Sequence, residues 1–255
     1  MILAIDISNN SVVLGGFAGD ELRFVARLQT NASRTADEYA SQIHNVLQLH
    51  RADCTAVDGA IIASVVPQLN SVMQQALRLA FGVEAKLVGP GIKTGINIRC
   101  DNPSSVGADL ICACVAAHHL YGSPSLIVDM GTATKLMVMD KQGAFIGASF
   151  IPGVQVALQA LASNTAQLPQ ISLEAQKSVL GKNTIDCMRS GVIYGNASMV
   201  DGMIDRIEAE LGEAYPLLAT GEAPAETILA QCRHQLHFDA DLVLKGLNIL
   251  YRKNN

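Results

Sequence analysis

Charge is scarce in this 255-residue chain: Asp, Glu, Lys and Arg make up 16% of it, against roughly 25% in ordinary globular chains, while 49% is hydrophobic. Too few charges are present to cover the surface, so the composition predicts that part of it is buried against a second copy of the chain. Positive charge is scarcer still. With 18 Lys and Arg against 23 Asp and Glu, a formal net charge of −5 and a pI near 5.6, no global positive field exists to collect counterion-release energy, which excludes nucleic acid as the main partner. Long apolar runs are missing too. The strongest, LICACVAA at 110–117, falls far short of the ~18–20 residues that cross a bilayer, so no membrane association is expected. Paired cysteines are also lacking: Cys54, Cys100, Cys112, Cys114, Cys187 and Cys232 contain no CxxC spacing and read as reduced thiols. The histidines offer no zinc set, since His118 and His119 diverge on a helix and His234 and His237, at helical spacing, are expected to have no acidic or Cys partner nearby. The start, MILAIDI, is strand-like without a basic or cleavable leader, and a cytoplasmic location is expected.

What is there is repetition. At ~150 residues per domain the length gives about 1.7 domains, one large or two modest. Residues 1–28 read as strand MILAIDI, turn SNNS, strand VVLGGF, turn AGDE and strand LRFVARL, with apolar runs broken by Gly, Asn and Asp. A second such meander appears as LIVDM, GTAT, KLMVMD, KQG and AFIGASFI. Aligning Asp6 with Asp129 fixes an offset of 129 − 6 = 123, at which the three strand runs overlay without a gap. The chain reads as a duplication. After each meander helix and strand alternate. In the first half, 35–51 carries Tyr39, Ile43, Val46, Leu47 and His50 at helical spacing, 57–66 is a buried-type strand, 69–81 a helix, 84–88 a strand and 104–120 a helix behind Pro103. In the second, 153–162 and 184–211 are helical, 216–220 is a strand, and 225–231 and 243–252 are helices. The pattern predicts two α/β lobes around a cleft: residues 1–121 with the first phosphate turn and catalytic base, and 122–255 with the second phosphate turn and a dimer helix.

Both repeats end their first strand in Asp and enter a tight turn of small polar residues, Asp6-Ile7-Ser8-Asn9-Asn10-Ser11 and Asp129-Met130-Gly131-Thr132-Ala133-Thr134. A carboxylate at a strand end can hold a cation that bridges phosphates, and the turn offers backbone N–H groups and hydroxyls to the phosphate oxygens. Two such turns facing one another would grip a triphosphate from both sides. This arrangement resembles that of actin, hexokinase and the acetate and sugar kinases, whose lobes are ribonuclease-H-like.

Within that superfamily the whole chain resembles the type III pantothenate kinases. The resemblance is carried by AIDISNNS at 4–11, GPGIKTGI at 89–96, DNPSSVGADL at 101–110, IVDMGTATK at 127–135, IPGVQVALQALASNTAQLP at 151–169 and GKNTIDCMRSGVIYG at 181–195. It implies ATP-dependent phosphorylation of the primary hydroxyl of pantothenate, the first step of coenzyme A synthesis, by a homodimer that uses Mg2+ and a monovalent cation, K+ or NH4+. Residue by residue, it implies that Asp109 is the general base. Gly107 and Ala108 would let substrate approach the backbone, and the start of a helix would keep the Asp109 carboxylate ionised. Asp6, Ile7, Ser8, Asn9, Asn10, Ser11, Val12 and Val13 would line the ATP phosphates, with Thr132 also touching ATP and Asp129 holding the monovalent cation. Cys100, Gly107, Ala108, Asp109, Leu110 and Thr184 would contact pantothenate, beside a loop shaped by Gly89, Pro90, Gly91 and Gly95.

The chain also departs from the family's pattern. Leu110 stands where an Arg is usual, and losing such a charge-assisted contact costs about 2–3 kcal/mol. Ser8 replaces a Gly, Asn10 a Thr and Lys135 a Thr, and Ala148 and Glu222 replace glycines. Lys135 either supplies charge to a phosphate or blocks the site. The drift of supporting residues implies a divergent or slow kinase. It also fits a catalytically silent binding dimer, or a kinase for another small hydroxyl compound in whose pocket Leu110 meets no carboxylate.

Overall fold

Alternation of side chains along the first three strands gives the molecule its first sheet. In the computed structural model, which describes residues 1–174 and 178–255, β1 (Ile2–Ile7), β2 (Ser11–Ala18) and β3 (Glu21–Gln29) form an antiparallel meander, and β4 (Gly59–Ser64) and β5 (Ala85–Leu87) add in parallel, in the order β3-β2-β1-β4-β5. One face carries Leu3, Ile5, Ile7, Val12, Leu14, Ala60 and Ile62. It packs on α1 (Ala36–Leu49) and α2 (Asn70–Phe81) through Tyr39, Ile43, Leu47, Met73 and Leu77. Thr35 and Glu38 cap α1 reciprocally, satisfying two of its orphan N–H groups. The other face carries Ala4, Phe17, Ile61 and Ala63. After the two-residue strand β6 (Asn97–Ile98), α3 (Ala108–Tyr121) covers that face with Cys112 and Val115. This helix is apolar nearly all round and is correspondingly buried from Cys112 to Ala117. Because successive strand residues point to opposite faces, Asp6 shares the α3 face with Ala4.

The second meander is built the same way. β7 (Ser125–Met130), β8 (Ala133–Met139) and β9 (Ala144–Pro152) are antiparallel, and β10 (Leu217–Gly221) and β11 (His237–Phe238) follow in parallel, giving β11-β10-β7-β8-β9. Leu126, Val128, Met130, Leu136 and Val138 form the core face, and Asp129 and Lys135 fall on the opposite one. With α4 (Val154–Ser163), α5 (Thr184–Leu211) and α6 (Ala225–Leu229), the core face is covered by Val154, Ala197, Val200, Ile204 and Ile228.

The chain forms two units: Met1–Tyr121 with Asp241–Asn255, and Gly122–Ala240. The last helix, α7 (Leu242–Lys253), belongs to the first unit, whereas the sequence reading placed it in a lobe spanning 122–255. Leu244, Leu247 and Leu250 fit the second face of the first sheet, and Gly246 stands against the Cys112 carbonyl, where a Cβ would collide with α3. The duplication is close in the outer strands: β7 repeats β1 (125 − 2 = 123, 130 − 7 = 123) and β9 repeats β3 (144 − 21 = 123, 152 − 29 = 123). The middle strand departs from the gapless alignment. Residues 8–10 lie between β1 and β2, but only Gly131 and Thr132 between β7 and β8, so Asp6 pairs with Val13 whereas Asp129 pairs with Lys135 (135 − 13 = 122). Smaller differences are the start of α3 at Ala108 behind a 3-10 turn at Pro103–Ser105, and the shorter β4. The six cysteines are all free thiols, and among the described residues no helix is long and apolar enough to cross a membrane.

Candidate active site

The first turn is closed by its own hydroxyls. Ser8 N donates to Ser11 O (2.9 Å), Ser8 Oγ donates to the same carbonyl (3.0 Å), and Ser11 N donates to Ser8 Oγ (3.2 Å). The end of β3 clamps it, with Thr30 Oγ1 donating to Ser8 O (2.8 Å) and Thr30 N to Asn10 O (3.1 Å). Asn9 and Asn10 are exposed at the tip. The side chains of Ile7 and Val12 are fully buried in the core, so they could offer a ligand only their main chain, and Val13 is half-buried on the Asp6 face.

Asp109 sits in the first turn of α3, half-buried. Gly107 leaves room for it: a Cβ there would press on Asp109 Oδ1, so the carboxylate occupies the space a side chain would take. Leu110, next along, is buried at 6% exposure. The thiol of Cys112, one turn on, reports how the two carboxylates are placed. Burial pushes that thiol well above its ordinary value, and the charges of Asp6 and then Asp109 push it further. The neighbouring Cys114 is pushed up to about 12, by burial and then by Asp109. A strand-end Asp and a helix-start Asp, 103 positions apart in sequence (109 − 6), are thus both in the first unit, one on the face that α3 covers and one in the first turn of α3. Cys100 lies half-buried between β6 and Pro103.

In the second unit Asp129 is 8% exposed, and Lys135 Nζ donates to its Oδ2 at 2.6 Å. The Gly131-Thr132 turn beyond it is held by close backbone approaches. Gly153 N donates to Thr132 O (3.1 Å), and a Cβ on Gly153 would strike the Gly131 and Thr132 carbonyls. Gly221, at φ 145°, lies against the Met130 carbonyl, which also accepts from Glu222 N (3.2 Å). Thr184 opens α5 in an exposed position capped by Asn183, and borders a cavity of about 810 Å³ lined by Leu158, Leu161, Lys182, Cys187 and Met188.

The structure thus gathers Asp6, the Ser8–Ser11 turn and the Gly107–Leu110 segment in the first unit, and Asp129, Thr132 and Thr184 in the second. Sequence reasoning missed the Lys135–Asp129 pair and the buttressing by Gly153 and Gly221. The hairpin register was the signal for the pair, and it depends on a turn one residue shorter than the first. His234, expected to lack an acidic partner, meets Asp205 at 2.7 Å through the packing of α5 against the segment after α6, and that contact, with Arg233, holds the Asp205 carboxyl below its usual range. Among the described residues no three His, Cys, Asp or Glu side chains cluster as a metal site. A Mg2+ bound through the single carboxylate of Asp6 would complete its shell with phosphate oxygens and water, the ordinary habit of that ion, so Asp6 fits it.

The match to known proteins extends over most of the chain. The family model for type III pantothenate kinase matches residues 2–206. The type III pantothenate kinase of Moorella thermoacetica is 38% identical over 254 residues, covering the whole of both chains, and that of Halalkalibacterium halodurans is 39% identical over the same span of both. The chain belongs to this family. The fold is shared with the inorganic polyphosphate/ATP-glucomannokinase of an Arthrobacter strain, 11% identical, which superimposes with a TM-score of 0.50 over 100% of this chain and 99% of that one.

Proposed function

We propose that this member of the type III pantothenate kinase family transfers the γ-phosphoryl group of ATP to the primary hydroxyl of pantothenate, opening coenzyme A synthesis. The observation that carries the reading is the placement of Asp6 and Asp109 in one unit, Asp6 at the end of β1 on the face that α3 covers and Asp109 in the first turn of α3. One is a strand-end carboxylate suited to the metal-bound phosphates and the other a helix-start carboxylate suited to a hydroxyl proton. Asp109 orients the hydroxyl and takes its proton as the new P–O bond forms; the bond from phosphorus to the β,γ-bridging oxygen breaks and ADP leaves. Because this transfer is largely dissociative, positioning and charge neutralisation supply most of the rate. Asp6 would hold a Mg2+ ion, which when bound would supply neutralisation of the charge on the phosphates. The turn Ser8-Asn9-Asn10-Ser11, with the main chain of Ile7, Val12 and Val13, faces the phosphates, and Thr132 is a further ATP contact in this reading. Gly107, Ala108, Leu110, Cys100 and Thr184 form pantothenate contacts.

The protein acts as a cytoplasmic homodimer in this reading. Supporting the dimer are Phe150, Val156, Leu161 and Ile185, large apolar side chains exposed on the second unit at 67%, 40%, 40% and 42%; supporting the location are six free thiols. Pantothenate-dependent ADP release, followed by a coupled assay, tests the activity. The expected result is saturable turnover; no release at millimolar pantothenate in any of several cations overturns the reading.

A further inference from the structure

The resemblance implies a monovalent cation at Asp129, and the residues present do not fit one. Asp129 closes β7 on the face away from the core, at 8% exposure, and its direct ladder partner on β8 is Lys135. The ammonium lies 2.6 Å from Oδ2, and the two side chains are only 13% and 11% exposed, so this is a desolvated pair and not a solvated surface contact. Potassium needs a shell of several oxygen ligands in place of its water. Here the carboxylate charge is already met, and a second cation beside it would face the ammonium across a poorly screened gap. A lysine ammonium and a potassium ion carry the same single charge, and the ammonium is a compact point charge with three donors. The pair is also placed where such a charge is useful, two residues from the Gly131-Thr132 turn that Gly153 and Gly221 hold in place. A buried ion pair adds little stability over an apolar pair of the same shape, so stability alone gives no reason for a lysine here. In the first hairpin the corresponding partner of Asp6 is Val13, which brings no charge.

We propose that Lys135 is the built-in monovalent cation of the Asp129 site, making ATP binding and turnover independent of added potassium or ammonium. The inference rests on the kinase reading for its use in turnover, but not for the binding it predicts. Calorimetry of ATP with Mg2+, in potassium, ammonium or choline chloride at equal ionic strength, tests it first on the unaltered protein. Dissociation constants within twofold across the three salts are expected. A tenfold or greater gain from potassium overturns the proposal, as does the absence of ATP binding in every salt, which would make Lys135 a plug. Lys135→Thr is expected to lose tenfold or more in ATP affinity in choline and to recover it in potassium or ammonium; affinity unchanged in choline overturns the proposal. Should that variant misfold, the comparison of salts on the unaltered protein still decides. ADP release measured in the same salts separates the two readings. Cation-independent ATP binding without pantothenate turnover sustains Lys135 as the cation and removes the kinase reading, whereas potassium-dependent binding and turnover do the reverse.

Discussion

Two hairpins of one duplicated scaffold end their first strands in the same residue and put different neighbours opposite it. Asp6 faces Val13 and Asp129 faces Lys135, although β1 and β7 have the same length and β3 and β9 the same offset. The cause is a turn one residue shorter. Because strand side chains alternate with period two, a slip of one position would invert β8, yet Leu136 and Val138 still reach the core. The longer connection from Met139 to Ala144 absorbs the difference before β9 begins. Duplication has therefore kept the carboxylate and the backbone while freeing the facing position to take a charge. One acidic strand end faces an uncharged valine, and the other faces a lysine that pairs with it.

The largest effect expected from this account falls outside both hairpins. Asp109→Asn should lower kcat by about 10²–10⁴, the ordinary contribution of a general base, with Tm unchanged and ATP still bound by calorimetry. Next, Asp129→Asn leaves the Lys135 ammonium buried without its counter-charge, and thermal melting should report a loss of about 3–5 kcal/mol. Equal melting of the mutant and the parent would break the contrast between the hairpins. Gly153→Ala drives a methyl into the Gly131 and Thr132 carbonyls and should cost about 1–3 kcal/mol, whereas Gly89→Ala, with nothing within 4 Å, should stay within about 0.5 kcal/mol. Val13→Lys builds the second hairpin's pair into the first. It should weaken binding of ATP with Mg2+ about tenfold or more by neutralising Asp6, the size of one charge-assisted contact. The last effect is confined to alkaline pH. Folding raises the Cys114 thiol from 9.0 to about 12, so above pH 9 the unfolded chain releases a proton that the folded one keeps. Stability should fall as pH rises from 9 towards 12, and Cys114→Ala should flatten that part of the melting curve. In the same pH range a thiol reagent should label exposed Cys187 long before Cys112 or Cys114.

Much of this was legible in the residues. Asp6 and Asp129 announced themselves by their place at strand ends before polar turns, and the motif around Gly107 pointed to Asp109. The apolar stripe of α1 fixed its buried face, Tyr39, Ile43 and Leu47, from spacing alone. What could not be read depends on contacts distant in sequence. That α7 returns to the first sheet depends on Gly246 meeting Cys112, 134 positions away (246 − 112), and its amphipathic stripe alone does not choose between two sheets. The Ser8 hydroxyl reads as a phosphate donor in sequence, but in the fold it is bonded across the turn to Ser11. The partner of Asp129 hinges on a register that one residue of turn length decides, and turn length is where sequence boundaries are least sharp.

The most direct test of the central claim follows both products of one reaction. Incubating the protein with ATP, Mg2+ and pantothenate and resolving phosphorus species by NMR should show a new phosphomonoester growing in step with ADP, one for one. ADP accompanied by inorganic phosphate alone, or no ADP at all, would contradict it.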